Sequence, residues 1–211
     1  MANTSAPFGL RYIGQMGAPP TNSSMFELRN GILSTNTTPI YTGDLIFMSS
    51  NGYLYQWTAT TAGYLCYGVF GGCRYASSSQ QTTVPQKYWP GTDAASGSVL
   101  AQYVPGALTG PALFVIQTDA TGITVADRGA NADIIVGTGS TLTGMSGAYL
   151  DTTSIATNVT RPLRIIDTWA NYSMGNNPEG AGGSSSLAPG TQAGAYNWAV
   201  VALNTMGQQG V

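Results

Sequence analysis

The chain has 211 residues, of which only 8% are charged, with a net charge of −2 and no histidine. Ordinary globular proteins carry about a quarter charged residues, so this surface is covered mostly by neutral Ser, Thr, Asn, Gln and Tyr. Without histidine the usual proton shuttle, the commonest metal ligand and the Ser-His-Asp hydrolases fall away, and seven scattered basic residues are too few to track a nucleic-acid backbone.

From the N-terminus to about residue 42 the chain reads as an extended arm, because Pro7, Pro19, Pro20 and several Gly oppose regular structure. It has no basic start followed by an apolar core, so no secretory signal is expected. Residues 43–211 read as one β domain. Asp44 to Ser49 and Gly52 to Thr58 form a predicted hairpin, joined through Ser50-Asn51-Gly52, since Asn-Gly suits the positive φ of a tight turn. In the second strand Tyr53, Tyr55 and Trp57 alternate with Leu54 and Gln56, two faces of one strand. Further predicted strands are Tyr64 to Tyr75, Ser98 to Val104, Leu113 to Thr118, Asp133 to Gly137, Leu163 to Trp169 and Asn197 to Asn204. Short strands separated by Gly, Pro, Ser and Thr predict an all-β sandwich or barrel-like single domain. No segment keeps a helical period with good helix formers over three turns, and no apolar window is long enough for a membrane span. Residues 171–194, NYSMGNNPEGAGGSSSLAPGTQAG, are too poor in apolar groups to be core and read as a long Gly/Ser-rich surface loop.

Residues 132–146, ADIIVGTGSTLTGMS, come close to the phosphate-cradling pattern GxxxxGK[ST]. The lysine position is Met145, and the chain's single lysine, Lys87, is distant in sequence. A thioether neutralises no phosphate, and Gly144, Gly147 and their Ser/Thr neighbours are poor starters of the helix such a loop requires. The block therefore predicts a glycine-rich turn between strands.

Other chemistry is sparse. Asp127 and Asp133 flank a glycine turn where Asp serves turn geometry, and no stretch spaces oxygen ligands like a calcium loop. Cys66 and Cys73, in CYGVFGGC, match no zinc pattern; they leave open a disulfide closing a small turn, with two buried thiols the preferred reading. The aromatics Tyr53, Tyr55, Trp57, Tyr88 and Trp89 serve as core residues, interface anchors or sugar-stacking platforms. Lys87-Tyr88-Trp89-Pro90 is the least regular of these segments and reads as a lateral contact.

Several blocks together carry a resemblance: Met1-Ala2-Asn3 with Ala6 to Arg11, Tyr67 to Tyr75 followed by Tyr88-Trp89-Pro90, Asn131 to Gly139, Ser140 to Ser146, Leu150-Asp151, Leu163 to Ile165, and the closing strand at Asn197 to Asn204. In this order they resemble the small decoration, or cement, proteins of tailed-bacteriophage capsids, particularly a group from phages of aquatic bacteria. Each block is short, but the resemblance spans nearly the whole chain, and the 171–194 segment departs from it in length and glycine content.

The resemblance implies a virion protein, made in the host cytoplasm and bound to the outer surface of the expanded capsid. There it cements neighbouring copies of the major capsid protein against the pressure of packaged DNA. It implies no catalytic, cofactor-binding or metal-binding residues, and neither nucleic acid nor membrane as a partner. A homotrimer is expected, with a dimer as the fallback, because a closed oligomer presents identical patches to repeated capsid sites. The arm is then the expected capsid contact, with Phe8, Leu10 and Tyr12 alternating as anchors and removable without unfolding the β domain. The competing expectation is a virion-surface adhesin that holds host glycans through Tyr88, Trp89 and the 171–194 loop.

Overall fold

In the computed structural model, residues 3–16, 25–58, 66–97, 99–107, 110–157, 160–174, 190 and 192–204 are described. Fourteen strands occur among them: β1 (Arg11–Gln15), β2 (Phe26–Leu28), β3 (Ile40–Tyr41), β4 (Leu45–Met48), β5 (Leu54–Gln56), β6 (Cys66–Ala76), β7 (Thr83–Gln86), β8 (Tyr88–Trp89), β9 (Leu100–Pro105), β10 (Ala112–Gln117), β11 (Asn131–Ile135), β12 (Tyr149–Ala156), β13 (Leu163–Thr168) and β14 (Trp198–Leu203). One short helix, α1 (Trp169–Met174), follows β13 directly. The expected all-β, sandwich-like single domain is what forms. No described helix is long and apolar enough to cross a membrane.

Two antiparallel six-stranded sheets make up most of the molecule. The first runs β1-β10-β14-β13-β11-β12; the second runs β2-β9-β6-β4-β5, with β7 also paired to β6. The long β6 supports this branching, since its first half pairs with β4 and its second half with β7. A two-stranded ribbon, β3 with β8, lies apart from both sheets.

The apolar pattern explains the layering. In β4, Leu45 and Phe47 point into the core shared with the first sheet, where they join Phe114, Ile116, Ile165 and Val201, while Ile46 points the other way. That opposite face of the second sheet carries its own core, in which Ile46, Phe70 and Ala101 meet Ile32, Ile40 and Trp89. β10, ALFVIQ, is buried at every position, as a continuous apolar run predicts for a strand covered on both faces. Its outward residue Leu113 packs with Val200 and Ala202, and with Ile13 and Trp169.

The predicted hairpin forms between β4 and β5, closed by the Gly52 amide donating to the Ser49 carbonyl at 2.9 Å. Only Gly52 has a positive φ, of 80°; Asn51 does not, so the connection is a type I turn followed by a left-handed glycine rather than a tight Asn-Gly turn.

Two boundaries differ from expectation. The described residues of 1–42 are integrated into the domain rather than forming an arm: β1 pairs with β10, β2 pairs with β9, and Ile32 and Ile40 lie in the second core. Short strands hidden between Pro and Gly are stabilised here by pairing and burial that local sequence does not reveal. Asn171 to Met174, expected in the surface loop, complete α1; residues 175–189 and 191 of that loop lie outside the described residues.

Candidate functional site

The residues expected to anchor the capsid serve this domain instead. Phe8 is 8% exposed, packed edge-on against Trp198 with ring centroids 4.8 Å apart and covered by the Arg11 guanidinium. Leu10 is 3% exposed and belongs to the core between the sheets, its amide donating to the Gly43 carbonyl at 2.8 Å. Tyr12 meets Phe114 edge-on at 6.0 Å. The alternation seen in the sequence is real, but it leads into the edge strand β1 rather than along a free arm, with Leu10 and Tyr12 on the core between the sheets and Phe8 on Trp198. Packed in this way, Phe8, Leu10 and Tyr12 have little apolar surface to offer a partner; the exposed large apolar side chains among the described residues of 1–42 are instead Met16, Met25 and Phe26.

The aromatic pair Tyr88 and Trp89 separates in the same way. Trp89 is wholly buried, with Nε1 donating to the Asn36 carbonyl at 2.9 Å and the ring edge-on to Tyr75 at 5.5 Å. It is therefore a core residue and not a surface platform for sugar or protein. Tyr88 is half-buried and stacks face to face on Tyr41, its partner across the β3–β8 ribbon, at 5.2 Å and 9°. Burial, the Tyr88 phenol and the Asp44 carboxyl together push the Tyr41 hydroxyl above its ordinary pKa.

Beneath this ribbon lies Asp44, 2% exposed. Its carboxylate accepts from the Tyr41 amide and from Gln56 Nε2, both at 2.7 Å. Burial dominates and raises its pKa, although hydrogen bonds from Ser146, Tyr41 and Gln56 oppose the rise.

The ribbon's outer side holds the glycine block. A Cβ at Gly139 would collide with the Tyr41 ring, and one at Gly144 would lie 2.5 Å from Cβ of Lys87. Lys87, distant in sequence, thus packs beside the glycines. Yet the loop is a poor anion cradle, because the amides of Ser140, Thr143, Gly144, Met145 and Ser146 are already engaged. Ser140 donates to the Met145 carbonyl and Gly144 to that of Ser140, at 2.9 and 2.8 Å. Thr143 donates to Ser140 Oγ, Met145 to Thr143 Oγ1 and Ser146 to the Thr42 carbonyl. Thr42 completes the fastening, its amide donating to Gly144 O and its hydroxyl to Lys87 O. No helix follows; the block ends at β12, as a turn between strands should.

With Gly137 and Gly147 in close backbone contact at its neck, the loop is a compact Ω-type excursion whose shape is set by its own bonds. At its tip Leu142 is 94% exposed, the most exposed large apolar side chain described. Ile135 and Val136 at its root are also exposed. A constrained loop that holds an apolar side chain in water is pre-organised to bury it against something else. Nothing in the sequence marks this tip, because Thr-Leu-Thr carries no periodicity that separates an exposed Leu from a buried one.

Neither cysteine is disulfide-bonded, and both are buried in β6. Cys73 Sγ contacts the Tyr88 carbonyl at 3.5 Å, and burial pushes its pKa to about 12. Among the described residues no group of three or more His, Cys, Asp or Glu could hold a metal.

No family model matches the chain, and neither does any curated protein or solved structure.

Proposed function

We propose that the protein decorates the outer surface of an expanded tailed-phage capsid and cements adjoining major capsid subunits as a homotrimer. The single observation that supports this most is the fastened 137–147 loop with Leu142 exposed at its tip. On a surface with few charges, such a point docks at little desolvation cost. Together with the ordered sequence resemblance, this favours a binding protein over a catalyst. The capsid contact moves from the N-terminal segment to this loop. The protein acts as a ligand of the assembled shell and stabilises it by binding that state preferentially.

The test is co-sedimentation of the purified full chain with expanded and unexpanded shells of the parent virus lacking it, counting copies bound per shell. Saturable binding to expanded shells alone, at a stoichiometry matching local three-fold positions, is expected. A folded protein that binds neither shell overturns the proposal.

A further inference from the structure

A cleft of about 290 Å³ opens beside the start of β12, lined chiefly by Ser5, Pro7, Gln117, Asp119, Tyr149 and Tyr196. Its inner wall is rigid. Gln117, 3% exposed, donates from Nε2 to the carbonyls of Thr4 and Tyr196 and accepts at Oε1 from the Ala6 amide, tying both rims together. Behind it, Thr118 Oγ1 donates to the Asn197 carbonyl, and the Asn197 side chain pairs with the backbone of Ile123 in both directions.

Tyr196 is the anomaly. Its φ is +57°, in the left-handed region; the other described non-glycine residues with positive φ are Asn30, Gln81 and Asp93. Asn and Asp tolerate that region, whereas a bulky ring is an outlier there. The residue is clamped on both sides, its amide donating to the Asp119 carbonyl at 2.9 Å and its own carbonyl accepting from Gln117. Backbone strain of this kind persists where surrounding bonds over-determine it, and it clusters at ligand sites. Here it aims a half-buried ring into a cleft shared with Tyr149, also half-buried. Among the described residues neither hydroxyl has a hydrogen-bond partner.

The cleft's charge narrows the ligand. Burial acts most strongly on Asp119 and pushes its pKa up, but the Thr152 side chain and the amides of Thr121, Thr152 and Gly122 outweigh it, leaving the carboxyl below its ordinary value. It is therefore ionised at neutral pH, and no described lining residue is Lys or Arg. Phosphates, sulfates and acidic sugars are repelled. A neutral ring with apolar C–H faces and hydroxyl edges fits two phenols and a proline, and the volume suits about one such unit, at the low end for ligand sites.

We propose that this cleft binds a neutral hexose unit of a glycan against Tyr149 and Tyr196. This site is separate from the 137–147 loop and does not depend on the capsid reading.

The experiment is saturation-transfer NMR on the full chain with glucose, galactose, mannose, N-acetylglucosamine and N-acetylgalactosamine at millimolar concentration, using wild type, Tyr149→Ala, Tyr196→Gly and Tyr196→Asn. At least one sugar should bind wild type and lose about tenfold or more in affinity in every variant. Tyr196→Gly and Tyr196→Asn should melt within about 3 °C of wild type, because the new residues accept the left-handed backbone that strains tyrosine. Absence of binding by all five sugars overturns the proposal, as does binding that survives in the variants. If both Tyr196 variants melt far below wild type, the ring is a packing element and the proposal also fails.

Discussion

Gly139 and the ring of Tyr41 are in such close contact that no side chain fits between them. Tyr41 cannot swing aside freely, because its ring is stacked at 5.2 Å on Tyr88. Gly139→Ala should therefore force the loop off the β3–β8 ribbon, at a cost of roughly 1–3 kcal/mol typical of overpacking. For a chain of this size that is a fall in Tm of about 2–4 °C per kcal/mol. Thermal unfolding of the variant checks it; an unchanged Tm would mean that the loop is not seated on Tyr41.

Among the described residues the buried hydroxyl of Tyr12 has no hydrogen-bond partner, although its ring packs edge-on against Phe114. An unpaired buried polar group carries a desolvation penalty of about 1–3 kcal/mol. Tyr12→Phe keeps the ring contact and removes the penalty, so denaturant unfolding should show stability unchanged or raised by about 1 kcal/mol. A clear loss would reveal a partner for the hydroxyl.

How far this was legible in the sequence depended on where each strand found its partners. β4, β6, β9, β10, β11, β13 and β14 announce themselves through apolar or alternating runs that local pattern detects. β12 does not: TTSIA within Tyr149–Ala156 is a polar edge strand beside β11, and Ser/Thr-rich chain reads equally as loop. Alternation places Tyr55 on a strand face, but it does not say that two cores flank the second sheet, so in the sequence Trp89 reads equally as a surface group. The Ω loop depends on Tyr41 and Thr42, far away in the chain; no local signal encodes that contact.

Asp44 makes stability depend on pH in the direction opposite to most carboxylates. Its folded pKa is raised above 3.8, chiefly by burial, so between those values the folded state binds more protons than the unfolded one. Stability from this group is then greatest at low pH and falls as pH rises through the window. Each unit of upward shift corresponds to about 1.4 kcal/mol. Asp44→Asn removes the desolvated charge while retaining an acceptor for the Tyr41 amide. The Tm of wild type minus that of Asp44→Asn should be more positive at pH 4 than at pH 7; the reverse order would show that the hydrogen bonds dominate burial.

The thiols should be silent until the domain opens. Cys66 and Cys73 sit seven residues apart on one extended strand, about 23 Å at strand rise, whereas a disulfide needs Cα atoms within roughly 7 Å. Burial and a Cys73 pKa of about 12 suppress the reactive thiolate. A thiol reagent should titrate neither cysteine in native protein at pH 8 and both in denaturant without reductant. Prompt labelling of the native protein would show that β6 is accessible.

Leu142 offers the sharpest separation of folding from binding. At 94% exposure it contributes almost no burial within the domain, and the loop's bonds run through Ser140, Thr143, Gly144 and Met145 around it. Leu142→Asp should leave Tm within about 1–2 °C of wild type, as surface changes usually do. If the tip seats in an apolar recess of the shell, the same change places a charge there. Burying Leu is worth about 1.5–3 kcal/mol, so affinity for expanded shells should fall about tenfold or more. Leu142→Met, similar in volume and polarity, should retain most of the binding. Equal occupancy by wild type and Leu142→Asp would move the shell contact elsewhere on the surface while leaving the capsid role intact.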